Sequence, residues 1–388
     1  MKHVTTENNN YELDFSTLPS PADTGDARVA IVHDWLTGMR GGEKVLEGLV
    51  DLLPRAQVFT LLHIPGSVSS KLEASRPKQS FIRFLPGVER HYRRYLPLFP
   101  IAVEQFDLDE FDLVISTSHC AVKSTVVPNR AFHLCYCHTP MRYAWDQFES
   151  YFGSQRVGRL ANLGYRIAMN KLARWDASTA NRVDQYIANS HYVATRISRY
   201  YDRMATVIYP PVNTTFYSPS DSRPDSYFLI VSALVPYKKI DVAIEACRLA
   251  NVPLRIVGDG PELPRLQTLS EHNVEFMGTC SDIEIRDLYR GSLALLLPGE
   301  EDFGISPVES LACGRPVVAL NKGGVTETVI DGETGILVNE PTAEALADGL
   351  NRATDINFDS TYIRQSSLRF SLERFYDEMR ASITNSLS

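Results

Sequence analysis

The sequence predicts two α/β domains of the doubly wound kind, facing each other across a cleft. Three observations carry that expectation. Short apolar runs alternate with longer amphipathic stretches along the chain, the pattern of parallel strands covered on both faces by helices. The proline-rich segment Val207–Pro219 (VIYPPVNTTFYSP) breaks the rhythm, and the same alternation restarts beyond it. At 388 residues the chain is too long for one comfortable core and about right for two.

The first strand is expected at Arg28–His33 (RVAIVH), a short apolar run suited to a buried position. A glycine-rich loop, Gly38–Gly42, follows, and then a helix over Glu43–Leu53. Further strands are expected at Gln57–Leu61, Asp112–Ser116, Phe132–Cys137 and Gln185–Ala188, with helices near Arg159–Ala180 and His191–Tyr201. After the interruption come strands at Tyr227–Ser232, Leu254–Gly258, Val274–Met277, Leu293–Leu297 and Pro316–Leu320, a helix from Ile240, and a closing amphipathic helix over Leu368–Thr384. This divides the chain into a polar tail (1–27), a first domain (28–206), a linker (207–225), a second domain (226–365) and a terminal helical segment (366–388). Ligands of such sheets bind beyond the carboxyl ends of the strands.

Composition narrows the function. The formal charge is −8, whereas a nucleic-acid-binding protein is normally basic, so nucleic acid is not an expected partner. Six scattered cysteines form no C-x-x-C pair, which points to free thiols in a reducing compartment rather than to a disulfide framework or a zinc ribbon. No run of about 18 apolar residues occurs to span a bilayer, and the tail has no apolar stretch of the signal-peptide kind. The expected location is cytoplasmic.

The chemistry concentrates where the strand Leu293–Leu297 runs into Pro298-Gly299-Glu300-Glu301-Asp302-Phe303-Gly304-Ile305-Ser306-Pro307-Val308-Glu309. A helix start is expected here, with Ser306 as N-cap, Pro307 first in the helix and Glu309 completing a capping box. The free N–H groups and dipole of such a start suit a diphosphate. Glu309 has two readings, a cap for its own helix or a ligand for a diol. Glu301 is not needed for capping, so it is the stronger candidate to receive sugar hydroxyls.

The segment EDFGISPVE, with SLACGRPVV and NKGGVTETV after it, resembles family 4 of the retaining glycosyltransferases. Further matching pieces, in order, are GGEKVLE (41–47), CHTP (137–140), IANS (187–190), YPPV (209–212), LVPYKKID (234–241) and VGDGPE (257–262), so the resemblance spans roughly residues 28 to 385. It implies the GT-B fold: two Rossmann-like domains around a central cleft, with the C-terminal helix crossing back to the first domain. It implies that Glu301 contacts the donor sugar, Glu309 the ribose, and the backbone of Phe303, Gly304, Ile305 and Ser306 the sugar and distal phosphate. Lys238 matches the phosphate-binding lysine. The arginine usual a few residues earlier is replaced by Ala233, and Lys239 is the candidate to compensate. Gly41 and Gly42 are implied against the donor diphosphate, and His138 beside the reacting sugar or its leaving phosphate. The implied reaction needs no metal and no cofactor beyond the nucleotide sugar. Similarity to bacterial surface-polysaccharide mannosyltransferases makes GDP-mannose the first donor and a UDP-sugar the second. The acceptor is expected to be a saccharide or a polyprenyl-diphosphate-linked saccharide. Two other classes are weighed. A phosphorylase or epimerase of the same fold is disfavoured, a phosphorylase because the chain shows no pyridoxal lysine site. A non-catalytic nucleotide-sugar-binding protein is disfavoured by the retained Glu301, Glu309, Lys238 and His138.

Other residues of the first domain are read individually. Asp34, His119 and Lys123 follow strands and are candidates for the acceptor side. His133, Cys135 and Cys137 alternate to one face of a strand and His138 to the other, which argues against a tetrahedral zinc site. Asp107 and Asp109 lie in an acidic loop and are read as surface. The stretch Phe81–Phe99 interleaves Arg83, Arg90, Arg93 and Arg94 with aromatic residues. It suits either a solvated basic helix or contact with an anionic membrane surface on the inner face of the cytoplasmic membrane.

Overall fold

The computed structural model describes residues 19–146, 148–149, 158–220 and 224–387, so most of the polar tail lies outside the described residues. Seven parallel strands form the first sheet: β1 (Val29–Leu36), β2 (Gln57–His63), β3 (Lys78–Gln79), β4 (Leu113–Ser118), β5 (Phe132–Cys137), β6 (Gln185–Ala188) and β7 (Ala205–Val207), in the order β3-β2-β1-β4-β5-β6-β7. Six more form the second: β8 (Phe228–Val231), β9 (Leu254–Val257), β10 (Val274–Gly278), β11 (Leu295–Leu297), β12 (Val317–Leu320) and β13 (Gly335–Val338), in the order β10-β9-β8-β11-β12-β13. Chain direction across each sheet reverses at one place, between β1 and β4 and between β8 and β11. In open α/β sheets the crevice at that switch point takes the ligand.

The strands are apolar because helices cover both faces. All eight residues of β1 are buried. On one face of the first sheet Ile31, Ile115 and Leu134 pack with Leu46 and Leu49 of the helix Gly41–Leu52. On the other, Ala30, Val32 and Val114 meet Tyr92, Leu96 and Phe99. The closing helix, Leu372–Leu387, returns to the first sheet and puts Phe375, Met379 and Ile383 into that domain's core. The first domain covers its apolar stripe, so this helix ties the two halves together. No helix among the described residues is long and apolar enough to cross a membrane.

Two boundaries differ from expectation in ways that matter. β1 continues to Leu36 rather than ending at His33, so His33 and Asp34 are strand residues at the rim of the crevice. The first helix begins at Gly41 rather than Glu43, so both glycines are its opening residues.

Candidate functional site

The segment after β11 is shaped by its neighbours. Gly324 donates its N–H to the Glu301 carbonyl at 2.9 Å, and Glu301 pairs with Gly323 as an isolated parallel bridge. A side chain at Gly323 would run into the Glu301 carbonyl, and its φ of +80° is one that favours glycine. The NKGGV loop after β12 therefore fixes the backbone of Glu301 and Asp302 before the helix begins.

The helix Ile305–Ala312 does not start as the sequence predicts. Gly304, at φ +86°, is the N-cap, and no side chain caps the end. Ser306 and Pro307 lie inside the first turn, where a missing proline N–H costs nothing. The expected capping box fails because glycine lets the chain turn sharply two residues earlier. Glu309 is thereby released from its structural explanation. Its Oε1 accepts from Lys44 Nζ at 2.8 Å and its Oε2 from the Tyr289 hydroxyl at 3.0 Å. The Phe303 side chain is buried against Tyr209 and Phe370, so only its backbone is available to a ligand.

Lys238 ends a short 3₁₀ turn, Pro236–Lys238, and its ammonium contacts the Glu301 carboxylate. Burial and the Arg142 guanidinium push that ammonium down to about 7, and the Asp302 carboxylate pulls the other way. Lys239 caps the next helix with a φ of +55° and is exposed, so of the two lysines it is Lys238 that meets the acidic segment.

The opposite wall comes from the first domain. A Cβ on Gly41 would lie 2.9 Å from Cδ1 of Ile305, so the openings of the two helices abut across the cleft. A Cβ on Gly42 would lie 3.5 Å from His33 Cε1 and 3.6 Å from His138 Nε2. His138 follows β5, is 9% exposed, and its Nε2 is buried with no hydrogen-bond partner. Burial, with His119 and His33 nearby, holds its pKa well below the usual histidine value, so the ring is neutral. His119 stands edge-on to Trp35 at 4.3 Å, and burial pushes it down to about 3.

Two acceptor-side assignments are corrected. Asp34 is fully buried, and its carboxylate accepts from the backbone N–H groups of His119, Cys120, Ala121 and Val122 at 2.7–3.1 Å. Burial raises its pKa and those N–H groups work against the rise. It pins the loop after β4 and has no face left for an acceptor. Lys123 is 1% exposed; its ammonium lies 3.1 Å from Asp176 Oδ1 and donates to the Asp176 carbonyl at 2.6 Å. Position after a strand placed both in the crevice, but the strand's end turns their side chains inward.

Residues not singled out as candidates in the sequence join the halves. Asp302 receives Arg142 Nε at 2.8 Å and Arg196 Nη1 at 2.7 Å, and its carbonyl accepts from Ser190 Oγ at 2.6 Å. Glu327 accepts from the N–H groups of His191 and Tyr192, both at 2.9 Å, and so caps a first-domain helix, His191–Tyr201, from the second domain. Their sequence signals were adjacency: Asp302 follows Glu301, and Arg142 follows CHTP. Elsewhere, Cys135 and Cys137 pack on one face of β5 with Val193 and Ile197, while His133 bonds Ser116 Oγ at 2.8 Å. Asp107 and Asp109 are exposed.

Comparison with known proteins agrees with this geometry. Residues 39–216 match the family model "Glycosyltransferase Family 4", and residues 218–366 match "Glycosyl transferases group 1". An uncharacterised glycosyltransferase of Methanocaldococcus jannaschii is 31% identical over 40% of this chain and 46% of its own length. A D-inositol 3-phosphate glycosyltransferase of Streptomyces bingchenggensis is 31% identical over 40% of this chain and 42% of its own. The chain thus matches less than half the length of these two relatives. An alpha-1,3/1,6-mannosyltransferase of Dictyostelium discoideum is 24% identical over 85% of this chain and 90% of its own length. Among solved structures, the Anabaena HepE protein in complex with UDP superposes with a TM-score of 0.68 at 20% identity, covering 92% of this chain and all of the other. Sucrose-phosphate synthase of Thermosynechococcus elongatus superposes at 0.65 and 17%, covering 93% and 99%. The two family models follow one another through nearly all of residues 39–366, and the chain belongs with the family 4 glycosyltransferases of GT-B fold.

Proposed function

We propose that this glycosyltransferase moves a hexose, first of all mannose from GDP-mannose, to a saccharide or lipid-linked saccharide acceptor. One observation carries the reading. Glu301, Lys238 and the opening of the helix Ile305–Ala312 converge at the carboxyl ends of the second sheet, directly opposite Gly41 and Gly42. Glu301 receives hydroxyls of the donor sugar and Glu309 those of the ribose. The N–H groups at the helix start and the Lys238 ammonium hold the diphosphate.

Configuration is retained by displacement on one face of the sugar. The bond from the anomeric carbon to the diphosphate oxygen breaks, the acceptor oxygen bonds the same carbon, and the departing diphosphate oxygen takes the acceptor's proton. The work of the protein is then electrostatic: Lys238 and the helix start stabilise charge growing on the diphosphate. Neutral His138, with an unpartnered Nε2 under the glycine turn, is placed to hydrogen-bond the sugar or the leaving phosphate.

The mannosyltransferase relative supports mannose. A UDP-sugar is the second reading, favoured by similarity to structures solved with UDP and UDP-glucose. Thermal shift and donor hydrolysis with GDP-mannose and UDP-glucose, side by side, decide between them. Stabilisation and hydrolysis with GDP-mannose support the first, a response to UDP-glucose alone supports the second, and no response to either overturns both.

The acceptor side favours an anionic membrane surface as a partner. Arg83, Arg90, Arg93 and Arg94 are all exposed, and Phe84, stacked on Arg83 at 4.4 Å, is 73% exposed. The helix Arg159–Ser178 packs on the turn Tyr92–Leu98 and exposes Leu163 and Ile167 beside Arg166, Lys171 and Arg174. Apolar tips among arginines on an acidic protein suit anionic headgroups. The protein is expected to float with anionic liposomes at low salt and not with neutral ones; no flotation with either removes the membrane from the proposal.

A further inference from the structure

The carboxylates assigned to the donor, Glu301 and Glu309, belong to the second domain, yet one side chain of the first domain reaches among them. Lys44, one turn into the helix Gly41–Leu52, crosses the cleft and places Nζ 2.8 Å from Glu309 Oε1. The pair is shielded, with the Lys44 side chain 31% and the Glu309 side chain 7% exposed. Its surroundings are built for it. The Tyr289 hydroxyl holds the other carboxylate oxygen, the Tyr217 ring lies 5.7 Å from the ammonium, and Gly41 against Ile305 leaves no slack between the helices. Burial works against the Lys44 charge, but Glu309 and Asp282 outweigh it and raise the lysine's pKa.

We propose that Lys44 is a positioning residue for the donor's nucleoside: it holds the Glu309 carboxylate towards the ribose diol, so that nucleotide binding and closure of the two domains are one event. The inference rests on the donor reading above. A carboxylate has about four lone-pair sites. Lys44 and Tyr289 take one on each oxygen and the Tyr217 hydroxyl also bonds the carboxylate, which leaves one site open to a ribose hydroxyl. Lys44 also neutralises Glu309, which would otherwise present an unpaired buried negative charge next to a diphosphate. Opening the cleft separates the pair, so a nucleotide that needs Glu309 in this state favours the closed arrangement by its differential affinity for it.

The test is nucleotide binding without turnover. GDP and UDP, each with its 2′,3′-dideoxy counterpart, are titrated calorimetrically into the full chain and into Lys44→Met, Lys44→Arg, Glu309→Gln and the Lys44→Met/Glu309→Gln double variant. Thermal melts check folding. The wild type is expected to prefer the ribonucleotide by about tenfold, the scale of hydrogen bonds to a charged group. Lys44→Met should bring that preference close to one, Glu309→Gln should do the same, and the double variant should lose no more than the worse single one. Lys44→Arg should recover part of it. A lysine that only braced the fold would weaken both nucleotides equally and leave the preference intact, which overturns the proposal. If Glu309→Gln abolishes the preference while Lys44→Met keeps it, the role of Lys44 falls and the donor reading stands. If neither variant changes binding of either nucleotide, Glu309 is not a ribose ligand and the donor reading falls with it.

Discussion

Lys123 and Lys238 are the same residue type in comparable settings, each a few residues beyond one of the two strands at its sheet's switch point, and they do different work. Lys123 is 1% exposed and is consumed by Asp176, Ser124 and Thr179. Lys238 keeps 15% of its side chain exposed and faces a carboxylate at the cleft. The first domain spends its polar residues after β4 on holding its own loops. The second turns Lys238 and Glu301 towards each other at the cleft. A lysine after a strand is thus not evidence of a ligand; what matters is whether the protein already satisfies its ammonium.

The largest test of that contrast is Asp34→Ala. It leaves three buried and one part-buried N–H group without an acceptor, and at about 1–3 kcal/mol each the first domain should lose about 4 kcal/mol or more. Urea unfolding measures it, and a variant as stable as the wild type would show that Asp34 is free for another role. Lys123→Met comes next, with an expected loss of about 3–5 kcal/mol as Asp176 is left buried without its cation. Donor binding per folded molecule should be unchanged; a selective loss of binding would return Lys123 to the site. Lys238→Ala should invert the pattern, with stability nearly kept and turnover reduced on the order of a hundredfold, about 3 kcal/mol in the barrier. Near-normal turnover would remove Lys238 from the donor site.

The remaining test is the pH dependence of stability, and it belongs to the first domain. His119 is held down to about 3 and His133 to about 4, both chiefly by burial. Folded, they stay neutral; unfolded, they take a proton below about 6.5. Their contribution is therefore present above that pH and is lost progressively as pH falls from about 6.5 to about 4 for His133 and about 3 for His119, by up to ~1.4 kcal/mol per unit for each histidine. Urea midpoints at pH 7 and pH 5 check the sign; a midpoint that rises on acidification contradicts the burial of these rings.

The legibility of the molecule followed the distance between the residues concerned. The alternating strands and helices were readable because burial on both faces forces continuous apolar runs. The EDFGISPVE segment was readable because its groups sit within one loop and one helical turn. The start of that helix was misjudged, since Ser306 and Glu309 satisfy a capping pattern that Gly304 pre-empts. Adjacency marked Asp302 and Arg142 as neighbours of candidate segments, but not that Asp302 gathers Arg142 and Arg196, residues 160 and 106 positions away.

By itself the sequence determined the two doubly wound domains, the segment that carries the donor chemistry and the candidacy of Glu301, because each depends on side-chain periodicity or on neighbours a few residues apart. Only the tertiary structure decided which candidates are already spent on the protein's own backbone and which face the cleft. It removed Asp34 and Lys123, freed Glu309 from its helix cap and brought Lys44 across to it. Satisfaction of a charge is a property of what surrounds it in space, and these partners lie between 53 and 265 residues apart in the chain.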